Sequence, residues 1–344
     1  MIQSGILGFA CALGLAGSVM AAPTYTFLSY SDLEGWVDDD HQAALDVFLN
    51  TCRDIDRPEW ARLCAMAADG PAARDFFEMF FQPVLIEDGD DMLFTGYFEP
   101  ELSGSLSPTD AFRVPLYALP PDLVEGTPYL TRREIEETGR LEGQGLEIAY
   151  VDDPVDAFFL QVQGSGRVRL PDGRMIRVGY AGKNGHEYTS IGTTLIERGE
   201  FEPHQVSADV IRAWVRNNPE AGRDLLQTND SYVFFREVSE VPAELGPLGA
   251  MNRSITPLRS IAVDPAITLL GAPVWIEKEG ADPMRRLMVA QDTGSAIKGA
   301  QRADIFFGTG TDAGRTAGTI RDAGRMIVLM PVEYALEKLP RTLE

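Results

Sequence analysis

Histidine and cysteine are scarce in this chain of 344 residues, with three of each. His41, His186 and His204 are widely separated and the cysteines lack ligand spacing, so no zinc or other metal site is expected. No cofactor is expected either. Positive charge is also short: 30 Lys and Arg stand against 52 Asp and Glu, a formal net charge of -22. That balance argues against a nucleic-acid backbone or an anionic membrane surface as main partner. No long repeat or low-complexity tract is present.

What is there is ordinary globular composition at a length that suits about two domains. Residues 2–22 form an apolar, small-residue run, and Val19-Met-Ala21 or Met20-Ala-Ala22 is similar to a signal-peptidase site, so 1–22 read as a secretory signal peptide. No Lys or Arg opens the run, and the alternative is a retained membrane anchor. Cys11 follows Gly-Phe-Ala, a poor lipobox. Export would carry the chain to the periplasm, with the outer membrane as a candidate place of attachment. Cys52 and Cys64 would then meet an oxidising compartment, and a disulfide between neighbouring N-terminal helices is expected, two free buried thiols being the alternative.

Along the chain, residues 31–81 have helical periodicity: Ala43, Ala44, Val47 and Phe48 share a face, and Pro58 suits a first turn. The period changes at 92–100, a strand ending in a turn. Domains are expected at 23–113 (opening with the N-terminal helices), 114–247 (a second unit) and 248–344. Within the second unit, Thr131 and Glu134 read as a capping box, 157–162 as an apolar strand, 167–178 as a hairpin, and 195–199 and 208–215 as short helices. Short strands at 261–263, 273–276, 287–290, 304–307 and 326–330, parted by glycine turns, suggest a closed barrel.

Two acids stand out near the C-terminus. Asp304 directly precedes Ile-Phe-Phe, and a carboxyl at the edge of apolar surface is desolvated, which raises its pKa toward the range of a general acid. Asp292 precedes Thr-Gly-Ser, whose exposed N–H groups can hold a carboxylate ionised. The plain structural alternatives are a turn cap for Asp292 and a loop end for Asp304.

Phe94-Thr-Gly-Tyr-Phe, Val162-Gln-Gly-Ser-Gly166, Tyr180-Ala-Gly-Lys-Asn-Gly185 with Tyr188 and Ser190-Ile-Gly192, Tyr232-Val-Phe-Phe235, and a C-terminal module holding Asp264, Asp292, Gly294-Ser-Ala-Ile-Lys-Gly299, Asp304 and Ala317-Gly318 follow one another along the chain. In this order they resemble the motifs of the membrane-bound lytic murein transglycosylase A family. Ser295 departs from the second glycine common there. The resemblance implies a mainly β fold, a double-psi β-barrel with flanking N-terminal helices and an inserted second β-barrel-like domain, with a groove between them. It implies Asp304 as the single acid/base, Asp292 assisting it and Asp264 supporting. Thr95, Tyr97, Gln163, Ser165, Gly166, Lys183, Asn184, Tyr188 and Lys298 become candidates for binding glycan.

The implied activity is cleavage of the β-1,4 bond between N-acetylmuramic acid and N-acetylglucosamine in peptidoglycan, leaving 1,6-anhydromuramyl ends. Glycan strands would be the partner, cell-wall synthesis or division machinery candidate protein partners, and a monomer the expected state. Three rivals remain. An ordinary hydrolase would need a second carboxylate acting on water. An expansin-like protein would bind wall without cutting it. Asp292-Thr-Gly-Ser is also an aspartic-protease signature, but such sites need two aspartates sharing a proton, and one Asp-Thr-Gly would require a dimer.

Overall fold

The computed structural model describes residues 23–338 apart from Arg53 and Asp56. The expected signal segment 1–22, with Cys11, lies outside the described residues. The chain opens with strand β1 (Thr24–Phe27) and continues through helices α1 (His41–Cys52), α2 (Pro58–Ala68) and α3 (Ala73–Phe80) into β2 (Phe81–Glu87) and β3 (Leu93–Glu99). A middle stretch holds β4 (Glu101–Ser105), β5 (Val114–Tyr117), α4 (Arg132–Thr138), β6 (Glu147–Val151), α5 (Pro154–Gln163), β7 (Ser165–Arg169), β8 (Met175–Lys183), α6 (Ile191–Glu197), α7 (Ala208–Asn217), α8 (Pro219–Leu226) and β9 (Val233–Glu237). The last stretch supplies β10 (Ser260–Val263), β11 (Pro273–Lys278), β12 (Met284–Thr293), β13 (Arg302–Thr309), α9 (Thr311–Ala317), β14 (Arg321–Asp322), β15 (Gly324–Pro331) and α10 (Val332–Lys338).

Both chain ends build one nine-stranded mixed sheet, ordered β1-β2-β15-β11-β12-β10-β13-β3-β14. Two of its pairs are parallel, β10 with β12 and β13 with β3. The middle stretch forms a six-stranded sheet, β5-β6-β4-β7-β8-β9. Sheet membership changes at Pro100, between β3 and β4, earlier than the expected boundary at 114. The strand order shows no closure into a barrel among the described residues, and helix is about as abundant as strand. The fold is therefore mixed α and β rather than mainly β.

One expected strand is a helix. Residues 157–162 lie in α5, where Asp153 caps the start by accepting from the Val155 N–H, Pro154 occupies the first turn, and Gly164 closes the end in the left-handed region (φ 78°). A short apolar run does not distinguish a buried strand from a buried helix. The Asp-Pro start and glycine stop carried the missing signal.

The N-terminal helices behave as their periodicity requires. Phe48, Trp60, Phe76, Phe77 and Phe81 pack ring against ring, with centroids 5.4 to 6.3 Å apart, and join Trp275 and Leu287 of the nine-stranded sheet in one core. Each buried aromatic contributes roughly 1.5–3 kcal/mol by apolar burial. A disulfide joins Cys52, at the end of α1, to Cys64 in α2, with Cα atoms 5.5 Å apart. It closes a short loop of 12 residues' separation, worth about 3 kcal/mol in the chain-entropy account. Replacing both cysteines by serine should lower the urea midpoint by the equivalent of a few kcal/mol. Dithiothreitol should destabilise the parent by a similar amount and leave the double variant unchanged; equal sensitivity of the two would contradict this.

Candidate active site

Strand β13 runs between β10 and β3, so Asp304 lies opposite Ala262 on one side and Thr95 on the other. Side chains alternate across a strand. Ala303 and Ile305 enter the core and are fully buried, which turns Arg302 and Asp304 to the opposite face. There the Thr95 hydroxyl donates to Asp304 Oδ1 at 2.7 Å, and Arg302 Nη2 donates to the same Thr95 oxygen at 2.9 Å. Burial pushes the Asp304 carboxyl up to about 6; the Thr95 bond and the Arg302 charge pull it down, and the neighbouring Asp292 adds to the rise.

Asp292 closes the end of β12. Its Oδ1 accepts the N–H groups of Ala250 (3.0 Å) and Thr293 (2.9 Å), and its Oδ2 accepts the Tyr97 hydroxyl at 3.0 Å. Burial still pushes it up to about 6 against these bonds. Tyr97 is itself buried, with its ring 5.3 Å from that of Phe306, and burial and the two aspartates raise its hydroxyl well above the usual tyrosine range. Asp264 does different work: it accepts from the Ala266 and Gly299 N–H groups at 3.1 Å each, with Lys298 Nζ 3.9 Å away, and so pins the loop after Asp292.

Asp304 opens onto a cleft of about 180 Å³ between the two sheets. The residues 294–297 and Arg302 form one wall, while Arg132, Gln161, Val162, Tyr188 and Ser231 approach from the middle stretch. Among the expected glycan contacts, Tyr188 lines this cleft and Thr95 holds Asp304. Others are committed elsewhere. Gln163, at the end of α5, accepts the Phe98 N–H of β3 at 3.0 Å and so ties the middle stretch to the nine-stranded sheet. Ser165 and Gly166 are buried, and a side chain at Gly166 would strike Leu160 and the Pro100 carbonyl. Asn184 is fully buried, donating to the Leu130 and Asp230 carbonyls and accepting from the Tyr232 N–H, all at 2.8 Å. Lys183 ends β8, half-buried, and is not among the residues that line the cleft; Lys298 is exposed beside Asp264. Residues 180–185 therefore build the end of the middle sheet and the turn after it, and of that motif only Tyr188 reaches the cleft wall.

Sequence reasoning missed Arg132, Gln161 and Arg302. Arg132 is almost fully buried, stacks on Phe158 (4.6 Å) and Tyr232 (5.0 Å), and donates to Gln161 Oε1 at 2.6 Å. Its one local partner is Glu136, four residues on in α4 at 3.2 Å, an ordinary helix ion pair that does not mark it; the contacts that place it at the cleft come from α5 and from the segment before β9. Arg302 was legible in principle, two residues before Asp304 on the same strand face.

The raised carboxyl pKa values carry a stability consequence. The folded state binds more protons than the unfolded one between about pH 4 and pH 6, so stability falls as pH rises through that window and stays reduced above it. Asp304→Asn, which cannot ionise, should gain on the order of 2 kcal/mol over the parent at pH 7 and lose that advantage near pH 4. Thermal melts at the two pH values check it; a variant less stable at pH 7 than the parent would contradict the assigned environment.

Comparison with known proteins gives a consistent picture. Residues 93–236 match the MltA specific insert domain, and residues 259–330 match the 3D domain. The membrane-bound lytic murein transglycosylases A of Vibrio cholerae and Escherichia coli K12 are each 38% identical over 69% of this chain, and the alignments span 64% and 65% of those proteins, just under two thirds. A crystal structure of the membrane-bound lytic murein transglycosylase from Agrobacterium tumefaciens is 33% identical, with a TM-score of 0.83 over 92% of this chain and 100% of its own. The Escherichia coli MltA structure with bound chitohexaose has a TM-score of 0.73 at 30% identity, over 89% of this chain and 94% of its own. The chain belongs to the membrane-bound lytic murein transglycosylase A family.

Proposed function

We propose that this protein is a lytic transglycosylase that cleaves the β-1,4 bond between N-acetylmuramic acid and N-acetylglucosamine in peptidoglycan, with Asp304 as its single acid/base. The observation that carries this is the contrast between the two aspartates. Asp292 has both oxygens engaged, by two N–H groups and the Tyr97 hydroxyl. Asp304 faces the cleft with one oxygen held by Thr95 and the other unengaged by any described residue. The relative crystallised with chitohexaose supports a glycan-binding cleft.

In this reading neutral Asp304 gives its proton to the glycosidic oxygen as the C1–O4 bond breaks, and the substrate's acetamido group assists the cation-like centre. The ionised Asp304 then takes the proton from the muramyl 6-hydroxyl, whose oxygen closes the 1,6-anhydro ring on C1. No water enters, and Asp304 ends protonated as it began. The intramolecular nucleophile lowers the entropic part of the barrier. Asp292 contributes a fixed charge beside Asp304, which favours the protonated acid. A hydrolase would need a carboxylate free to activate water, and the three bonds on Asp292 argue against that role.

The parallel pairing of β13 from the last stretch with β3 from the first, beside the parallel pair of β10 with β12, favours a double-psi arrangement of the strands in this sheet, with residues from about 101 to 247 inserted. The disulfide supports action in an oxidising compartment, the periplasm in a bacterial envelope protein.

Digestion of purified sacculi followed by mass spectrometry tests the reaction. The protein should release 1,6-anhydro muropeptides, and Asp304→Asn should cut release by at least about a hundredfold while keeping its fold; reducing ends in place of anhydro ends would establish a hydrolase instead. Asp292→Asn should lose less, roughly tenfold. Because Asp304 must begin protonated and its pKa lies near 6, the rate should fall as pH rises above about 6. A flat profile to pH 8 would remove Asp304 from the acid role.

A further inference from the structure

The arrangement Arg302 to Thr95 to Asp304 is a chain of hydrogen bonds with a built-in direction. An arginine side chain only donates. Arg302 Nη2 donates to Thr95 Oγ1 at 2.9 Å, so the threonine oxygen cannot pass its own proton back to the guanidinium. The same guanidinium is fixed at its other nitrogen, where Nη1 donates to the Ala303 carbonyl at 2.7 Å and the Leu93 carbonyl at 3.2 Å, the latter on the strand that carries Thr95. The Thr95 hydroxyl then has one acceptor among the described residues, Asp304 Oδ1 at 2.7 Å. If the proton of neutral Asp304 sat on Oδ1, the threonine proton would lose that acceptor. The favoured arrangement puts the acid proton on Oδ2.

We propose that Arg302 is a positioning residue that acts through Thr95 to hold the transferable proton of Asp304 on Oδ2, the oxygen left free for the cleft. Arg302 thereby sets which oxygen acts first as acid and then as base, without touching the reacting bond. This rests on Asp304 being the acid/base of the proposed reaction. The register makes the relay compulsory: Thr95 is the strand partner of Asp304, and Arg302 is two residues upstream on the same face of β13. The other charged or titratable groups around Asp304 are Asp292 from β12, Tyr97 from β3, Arg321 from β14 beside Arg302, and Arg132 and Tyr188 from across the cleft. None of them bonds to the Thr95 hydroxyl.

The test compares the full chain with Arg302→Met, Thr95→Val, their double variant, and Thr95→Ser, all checked for fold by circular dichroism. On the acid side of the pH profile, Arg302→Met and Thr95→Val should each lower the turnover of sacculi, roughly tenfold to a hundredfold, with KM nearly unchanged. Thr95→Ser, which keeps the hydroxyl, should restore turnover to within about threefold. Since Arg302 works through Thr95, the double variant should fall within about threefold of Thr95→Val alone. A further loss beyond that, or a loss located in KM, would mean that Arg302 acts on substrate directly and would overturn the relay.

The alkaline limb should move to higher pH in both single variants, because each removes something that favours the ionised carboxyl; an unmoved limb also overturns it. A carbon-13 NMR titration of the Asp304 carboxyl without substrate gives the same answer independently of the reaction. Failure of the parent to yield anhydro ends would count against the proposed function, while an Asp304 titration unchanged by Arg302→Met would count against the relay alone.

Discussion

The register between β13 and β3 is the constraint on which the site depends. These strands come from opposite ends of the chain, one after the middle stretch and one before it, and they pair in parallel with Asp304 beside Thr95. A slip of one residue would turn Asp304 toward the core and bring Ala303 or Ile305 to the cleft. The slip is opposed by the core itself, since Phe94, Ala303 and Ile305 are completely buried on the inner face. Hydrophobic alternation, which holds the sheet together, thus also aims the acid.

A second constraint holds the two sheets in place about the cleft. Glu99, the last residue of β3, is completely buried at the point where the chain leaves one sheet for the other. Arg177 of β8 lies 2.8 Å from one of its carboxylate oxygens, and Arg167 of β7 lies 2.9 Å from the other, which also accepts from Thr309 of β13 at 2.8 Å. Buried ion pairs of this kind add little net stability, but removing one partner leaves a buried charge uncompensated, at about 3–5 kcal/mol. The Gln163 bond to the Phe98 N–H lies at the same junction. The two sides of the cleft are therefore tied together near one buried point, which helps set the spacing of Asp304 from Tyr188 and Gln161.

Much of this was legible in sequence because it is written in local chemistry. The aromatic face of the N-terminal helices, the acid set before Ile-Phe-Phe and the capping box at Thr131 each depend on neighbours a few residues away, and each is found in the structure. The family resemblance supplied the ordering of the motifs, but it grouped residues that serve two ends. Lys183, Asn184, Ser165 and Gly166 share motifs with cleft residues, yet Asn184 spends its polar atoms on two segments, at Leu130 and at Asp230 and Tyr232, and Gly166 allows Leu160 to approach the backbone. Such roles depend on partners tens of residues distant, and no periodicity reveals them. Helix α5 differs: its Asp-Pro start and glycine stop were local signals, but an apolar run that packs on both the middle sheet and the neighbouring helices has no polar face to set its period.

The two aspartates show how one stretch of sequence can hold the same residue type in two conditions. Both are buried enough to be pushed up to about 6, so burial alone does not separate them. The partners do. Asp292 is enclosed by donors that fix both oxygens in place and favour its ionised form against the pull of burial. Asp304 has one oxygen fixed and one free, which suits a group that must give up a proton and take one back. Because each would be more comfortable neutral in this surrounding, ionising either works against the fold. The largely apolar layer beneath them, and the buried ion-pair junction at Glu99, hold these two carboxyls close enough for the charge of Asp292 to raise Asp304 further.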